Sequence, residues 1–168
     1  MCYLLTPFIF LFNFRKELID NISKALDNLP DDALEEFYNL SDCKVPESEE
    51  STELGIWRTN NFALGRSNSK SNNGIFPKLS RFNHSCMPSA EFRWNERLER
   101  QEIRAIRNID VGEEITLCYF TIEVMQMSKE DRQTYLEDHY GFTCDCPACS
   151  LEGNFMDICI LFYFKKSR

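Results

Sequence analysis

Short strands mixed with a few helices, an α+β pattern rather than alternating βαβ units, form the fold class this sequence predicts. Three observations carry the reading. Residues 14–40 repeat apolar side chains at helical spacing, "AEFRWNE" and "RQEIRAIRNI" alternate apolar and polar residues, and no internal repeat is visible. With 168 residues, 43% of them hydrophobic, the chain can form one domain, or part of one, around a real core.

The elements follow in order. The opening "MCYLLTPFIFLF" has no basic residues ahead of its apolar run and no small-residue cleavage site behind it. It is also shorter than the roughly 20 apolar residues a membrane span takes, so it reads as a buried strand or helix segment. "FRKELIDNISKALDNLPDDALEEFYNL" reads as two helices parted at Leu29-Pro30, with Leu18, Ile22 and Leu26 on one apolar face and Leu34, Phe37 and Tyr38 on the next. Asp31 and Asp32 after Pro30 place carboxylates in a first turn, where the helix dipole favours them.

The acidic stretch Glu47 to Glu53 reads as a loop, and "GIWRTNNFAL" opens as either helix or strand. "GRSNSKSNNG" (65–74) reads as a polar surface excursion. After the two alternating stretches, "IDVGEEITLCYF" predicts a turn at Gly112 and then another strand. Ser128, with Asp131 three residues on, forms an approximate capping box for a helix through Tyr140.

A net charge of −8 with scattered basic residues argues against nucleic acid as the main partner, since phosphate binding needs a clustered basic surface. A basic protein segment suits an acidic surface better. The eight cysteines, unevenly spaced and without a secretory leader, point to a reducing compartment and to metal before disulfide. In "YGFTCDCPAC", Cys144, Cys146 and Cys149 crowd together, and a tetrahedral zinc wants four ligands. Cys86 in "LSRFNHSCMP" is the main candidate for the fourth; His84 and Cys159 are rivals, and a small buried hydrophobe is the plain alternative for Cys86.

"GIFPKLSRFNHSCMPSA", "AIRNIDVGEEITLCYF" and "YGFTCDCPAC", in that order, resemble SET-domain protein lysine methyltransferases, closest to the SMYD-like branch and its fungal relatives. The resemblance covers roughly residues 55–150, and more weakly the helical insertion of such proteins at 14–45. It implies a helical N-terminal segment (1–54), the C-terminal part of a SET domain (55–124), a post-SET helix and zinc segment (125–150) and a tail (151–168). It further implies knot-like threading that brings Asn83 near Tyr119, and a zinc held by Cys86, Cys144, Cys146 and Cys149.

S-adenosylmethionine would be held by Asn83, His84, Asn60 (with Asn61 as an alternative) and Phe142, the last against the adenine ring. Tyr119 and Tyr140 take the places of the active-site tyrosines. The chemistry is coherent: a lysine amine must lose its proton before accepting a methyl group, and a sulfonium charge in a dry channel lowers its pKa. Tyrosine hydroxyls then need only orient the amine. Ordinary roles stand beside these: turn capping for Asn83, packing on the zinc loop for Phe142, a strand tyrosine for Tyr119. Trp57 and Trp94 read as core, Glu113 and Glu114 as a solvated pair on opposite faces of a strand edge, and His139 as a helix-end residue without a visible partner.

The sequence departs from the family in places. None of its six glycines forms the Gly-x-Gly turn of the cofactor pocket, no cysteine/histidine array of the MYND type precedes residue 83, and Pro88-Ser89 replaces the usual Pro-Asn. The expectation is therefore an N-terminally truncated methyltransferase acting on a lysine-bearing protein, histone or not, in the nucleus or cytoplasm and without a membrane role. The other function class is a non-catalytic, zinc-stapled binding module.

Overall fold

The computed structural model describes residues 4–5, 8–11, 15–43, 52–64 and 72–150. The apolar start contributes two strands, β1 (Leu4–Leu5) and β2 (Phe8–Leu11). Helices α1 (Arg15–Leu26), α2 (Asp31–Tyr38) and α3 (Glu53–Asn60) come next, then strands β3 (Asn61–Leu64) and β4 (Asn72–Ile75). A 3-10 turn at Leu79–Arg81 leads to β5 (Ala90–Asn95) and β6 (Arg100–Ala105). The rest is helical: α4 (Ile122–Met125), α5 (Lys129–Tyr140) and α6 (Pro147–Ser150). The chain divides into two compact units, Met1–Phe82 with Phe92–Arg104, and Asn83–Glu91 with Ala105–Arg168.

In the first unit the break expected at Pro30 separates α1 from α2, because proline has no N–H to continue the α1 ladder. Ile22, Leu26, Phe37, Leu40, Ile56, Trp57 and Ile75 close its core, each at most 5% exposed. "GIWRTNNFAL" proves to be both elements: α3 ends at Asn60 and the extended backbone of Asn61 starts β3. The Thr52 hydroxyl caps α3 by accepting from the Gly55 N–H at 2.9 Å. Asp42 in turn accepts from the Thr52 N–H at 3.1 Å, placing a carboxylate at the positive end of α3. A β-carbon on Gly55 would lie 1.8 Å from the Asp42 Oδ2, so any side chain there would have to displace the Asp42 carboxylate from its bond to Thr52.

Two three-stranded sheets form, ordered β1-β6-β5 and β2-β4-β3. β4 pairs antiparallel with β3 (Asn61 opposite Ile75) and with β2 (Phe8 opposite Ile75). The polar stretch expected to be surface excursion is thus partly strand, since Asn72–Gly74 belong to β4; residues 65–71 lie outside the described residues. The Asn73 side chain donates to Asn61 Oδ1 at 2.6 Å, which lets a polar residue serve a strand. Of the acidic loop expected at 47–53, Glu53 is helical and 47–51 lie outside the described residues, as does the tail from 151.

In the second unit the turn at Gly112 is present, with φ at 86°. The strand expected after it does not form a ladder, and Leu117 makes one parallel bridge, with His84. The reason is local. Ser85 N–H donates to Leu117 O and Leu117 N–H to Asn83 O, both at 2.9 Å, but the next amide on that edge, Tyr119 N–H, goes to the His84 ring Nδ1 at 3.0 Å instead of a carbonyl. α5 is capped as expected, Ser128 Oγ accepting from Asp131 N–H at 3.1 Å, and ends at left-handed Gly141. No described helix is long and apolar enough to cross a membrane.

Candidate metal centre and aromatic site

The second unit brings the four expected sulfurs together. The Sγ atoms of Cys86, Cys144, Cys146 and Cys149 all lie within 4.8 Å of one another, and the Cys86 and Cys149 sulfurs are 3.5 Å apart. Zinc–sulfur bonds of about 2.3 Å in a tetrahedron place sulfurs about 3.8 Å apart, so donor type, number and spacing fit a structural zinc ion. All four side chains are buried. Hydrogen bonds from Cys144 and then Cys86 favour the Cys146 thiolate, while the Cys86 and Cys144 thiols are pushed upward. Several thiolates cannot coexist here unaided, and a divalent cation would supply the compensation.

Short helix α6 delivers Cys149, whose N–H donates to Cys146 O at 2.8 Å and folds the Cys-x-x-Cys turn. Helix α5 stands beside it. The Gln133 amide makes a two-way bond to Cys144, donating to its carbonyl at 2.6 Å and accepting from its N–H at 2.9 Å. Arg132, 1% exposed, donates from Nη1 to Met127 O at 2.9 Å and from Nη2 to the Cys149 sulfur at 3.9 Å. Leu136 and Ala148 complete the packing, with Met87, Phe120, Tyr140 and Phe142 against them.

His84 joins the sulfurs to the aromatic residues. Its Nδ1 accepts the Tyr119 backbone N–H at 3.0 Å, so in the neutral ring the proton sits on Nε2, which is 3.4 Å from the Cys86 sulfur. Burial pushes the His84 pKa down to about 4, and the Arg132 charge acts in the same direction. Both nitrogens are committed, and the ring stands behind Cys86. Rings surround it: Phe120 at 4.6 Å between centroids, Tyr119 at 5.2 Å and Phe142 at 6.1 Å. Tyr119 meets Tyr140 at 4.9 Å. Burial first, and the Glu114 carboxylate second, push the Tyr119 hydroxyl up to about 12, so the phenol is neutral at physiological pH.

The other candidates are placed as follows. Asn83 is exposed, and its amide donates to Glu114 Oε1 at 2.7 Å. Asn60 belongs to the first unit, is 5% exposed, and donates to Ser41 O at 2.7 Å and Ile56 O at 2.8 Å. Asn61 donates to Trp57 O at 2.9 Å. Trp57 is core, whereas Trp94 is half-buried with its ring 6.3 Å from Phe76. Glu113 pairs with Arg107 and Glu114 with Asn83, on a turn and not on a strand edge. His139 has a partner after all: it stacks on Tyr135 at 3.9 Å. Ser89, fully buried, answers the missing Asn by donating to Glu114 O at 3.4 Å while accepting from Thr116.

Sequence reasoning missed Arg132, Gln133, Phe120 and Tyr135. Arg132 lies one helical turn before Leu136, on the same face of α5, which is the one local signal that it points inward.

The sequence matches the SET domain over residues 9–120, and the chain belongs to that family. It is 40% identical over 79 residues to the histone-lysine N-methyltransferase set5 of Schizosaccharomyces pombe, covering 47% of this chain and 24% of the relative. Against human histone-lysine N-methyltransferase SMYD3 it is 39% identical over 85 residues, 51% of this chain and 19% of the relative. A longer match, 32% identical over 150 residues, joins it to the N-lysine methyltransferase SMYD2-B of Xenopus laevis, covering 83% of this chain and 30% of the relative. The chain spans less than a third of the length of each of these proteins.

Proposed function

We propose that this chain contributes the lysine-facing and zinc-bound part of an S-adenosylmethionine-dependent protein-lysine N-methyltransferase. The observation that carries the reading is the Tyr119–Tyr140 ring pair, 4.9 Å between centroids, held from behind by the bond from Tyr119 N–H to His84. Relatives named as histone-lysine and N-lysine methyltransferases support it. Its substrate would then be a lysine side chain of a protein, histone or other, in the nucleus or cytoplasm.

Zinc would be held by Cys86, Cys144, Cys146 and Cys149 and would act structurally, since four thiolates leave no open position for a reactant. When bound, S-adenosylmethionine supplies an electrophilic methyl group on a cationic sulfur. The residues proposed to bind it are Asn83, His84, Asn60 and Phe142, and the aromatic faces of Phe142 and His84 suit both an adenine ring and a cation. Tyr119 and Tyr140 are the proposed catalytic residues. A neutral Tyr119 hydroxyl can accept a hydrogen bond from the substrate amine and aim its lone pair, and two aromatic rings exclude water from the lysine stem. The knot-like threading of residues 83–90 against 114–119 is part of the same reading, supported by the short bonds between those stretches.

One observation favours the second class, a non-catalytic zinc-stapled binding module: the amides of Asn83 and Asn60 are already hydrogen-bonded within the protein. Calorimetric titration of S-adenosylmethionine into the zinc-loaded chain separates the two. Micromolar binding that weakens at least tenfold in Asn83→Ala is the expected result. A folded, zinc-loaded chain that gives no heat overturns the catalytic reading for this polypeptide.

A further inference from the structure

Arg132 has no part in the proposed methyl transfer, yet it is one of the most buried side chains of the molecule. A guanidinium cannot shed its charge, so its burial must be compensated by hydrogen bonds and an anionic partner. The partners here are sulfurs. Nη2 reaches Cys149 Sγ at 3.9 Å, Cys86 is a second electrostatic partner, and Nη1 is fixed by Met127 O at 2.9 Å. A zinc ion with four thiolates is a dianion, and burying it among Leu136, Ala148 and aromatic rings is costly unless a cation stands beside it.

We infer that Arg132 is a positioning residue of the metal centre: a built-in counter-ion that donates to the Cys149 sulfur and raises the site's hold on zinc. Arginine suits the place because its rigid fork serves a carbonyl and a sulfur at once. Neighbouring Gln133 does a different job, pinning the Cys144 backbone without adding charge. Consecutive residues of α5 therefore divide electrostatic from geometric support of one centre. The inference rests on the zinc reading above.

The test uses the full chain, with zinc affinity measured by competition against a chromophoric chelator. Cobalt(II) is then substituted to report the thiolate-to-metal charge-transfer band. Arg132→Met should weaken zinc binding about 10–100-fold, the range for lost outer-shell partners. It should also move the cobalt band to longer wavelength, because thiolates without a facing cation give up charge more readily. Arg132→Lys should recover most of the affinity and keep the band near its wild-type position. Gln133→Ala, which removes no charge, should leave the band in place and serves as the control for a merely structural effect. A folded Arg132→Met chain with unchanged affinity and band overturns the inference. If that variant does not fold, Arg132→Lys and Arg132→Gln decide, and equal zinc affinity in the two overturns it. Wild-type chain that takes up no zinc overturns the metal reading itself, which is a separate result.

Discussion

The two units bury different chemistry. The one containing α1–α3 is closed by leucine, isoleucine, phenylalanine and tryptophan side chains, whose burial needs nothing from outside the chain. The one containing α5 buries four cysteines, a histidine and an arginine, with Leu136 and Ala148 as its fully apolar buried members around the sulfurs. The first has a core by apolar packing, and the second gathers beside its apolar residues four sulfurs that could hold a metal ion. Stability in the second should therefore depend on a solute, and in the first it should not.

Chelation breaks the comparison most directly. Structural zinc contributes on the order of 10 kcal/mol in small zinc modules, so metal removal should release α5 and the Cys-rich turn together. Hydrogen exchange is the measurement: amides of α5 should lose protection by orders of magnitude, while amides of α1 and α3 keep theirs. Equal loss in both units would end the distinction. Next in size is Phe37→Ala, at a side chain 1% exposed; it should cost about 3–5 kcal/mol in urea unfolding and leave zinc content per chain unchanged.

The smallest effect concerns Tyr119. Its folded pKa is raised from 10.0 to about 12, so the stability it gains from a neutral phenol is present below pH 10 and lost as pH rises toward 12. Wild-type protein should thus lose stability more steeply than Tyr119→Phe between those values, and parallel pH profiles would show that burial does not hold the phenol neutral.

How far the residues announce all this varies with the range of the interaction. Pro30 as a break, Ser128 as a cap and the Cys-x-Cys-x-x-Cys run are local chemistry, and each is legible within a few positions. Cys86 is favoured as the fourth sulfur only through the family resemblance, because spacing leaves His84 open. The strand role of Asn72–Gly74 was not legible, since the polar side chain of Asn73 is satisfied by Asn61 on the neighbouring strand. The broken ladder after Gly112 has the same origin: it depends on His84, far back along the chain, presenting Nδ1 to the Tyr119 N–H. The burial of Arg132 was hidden too, because a charged residue on a polar helix reads as solvated until its sulfur partners are in place.

The spread of the four cysteines along the chain also sets a timetable. Every side chain of the first apolar core has been synthesised by Ile75, whereas the sulfur set is incomplete until Cys149 is added. At ordinary elongation rates that interval is roughly 4–15 s, long compared with the formation of a helix or a hairpin. Cys86 is made early in it and Tyr119, the partner of His84, later, and both then wait for the closing cysteines. The sulfur set is thus completed after the apolar core, and a zinc ion can be held by all four cysteines only once Cys149 has been made.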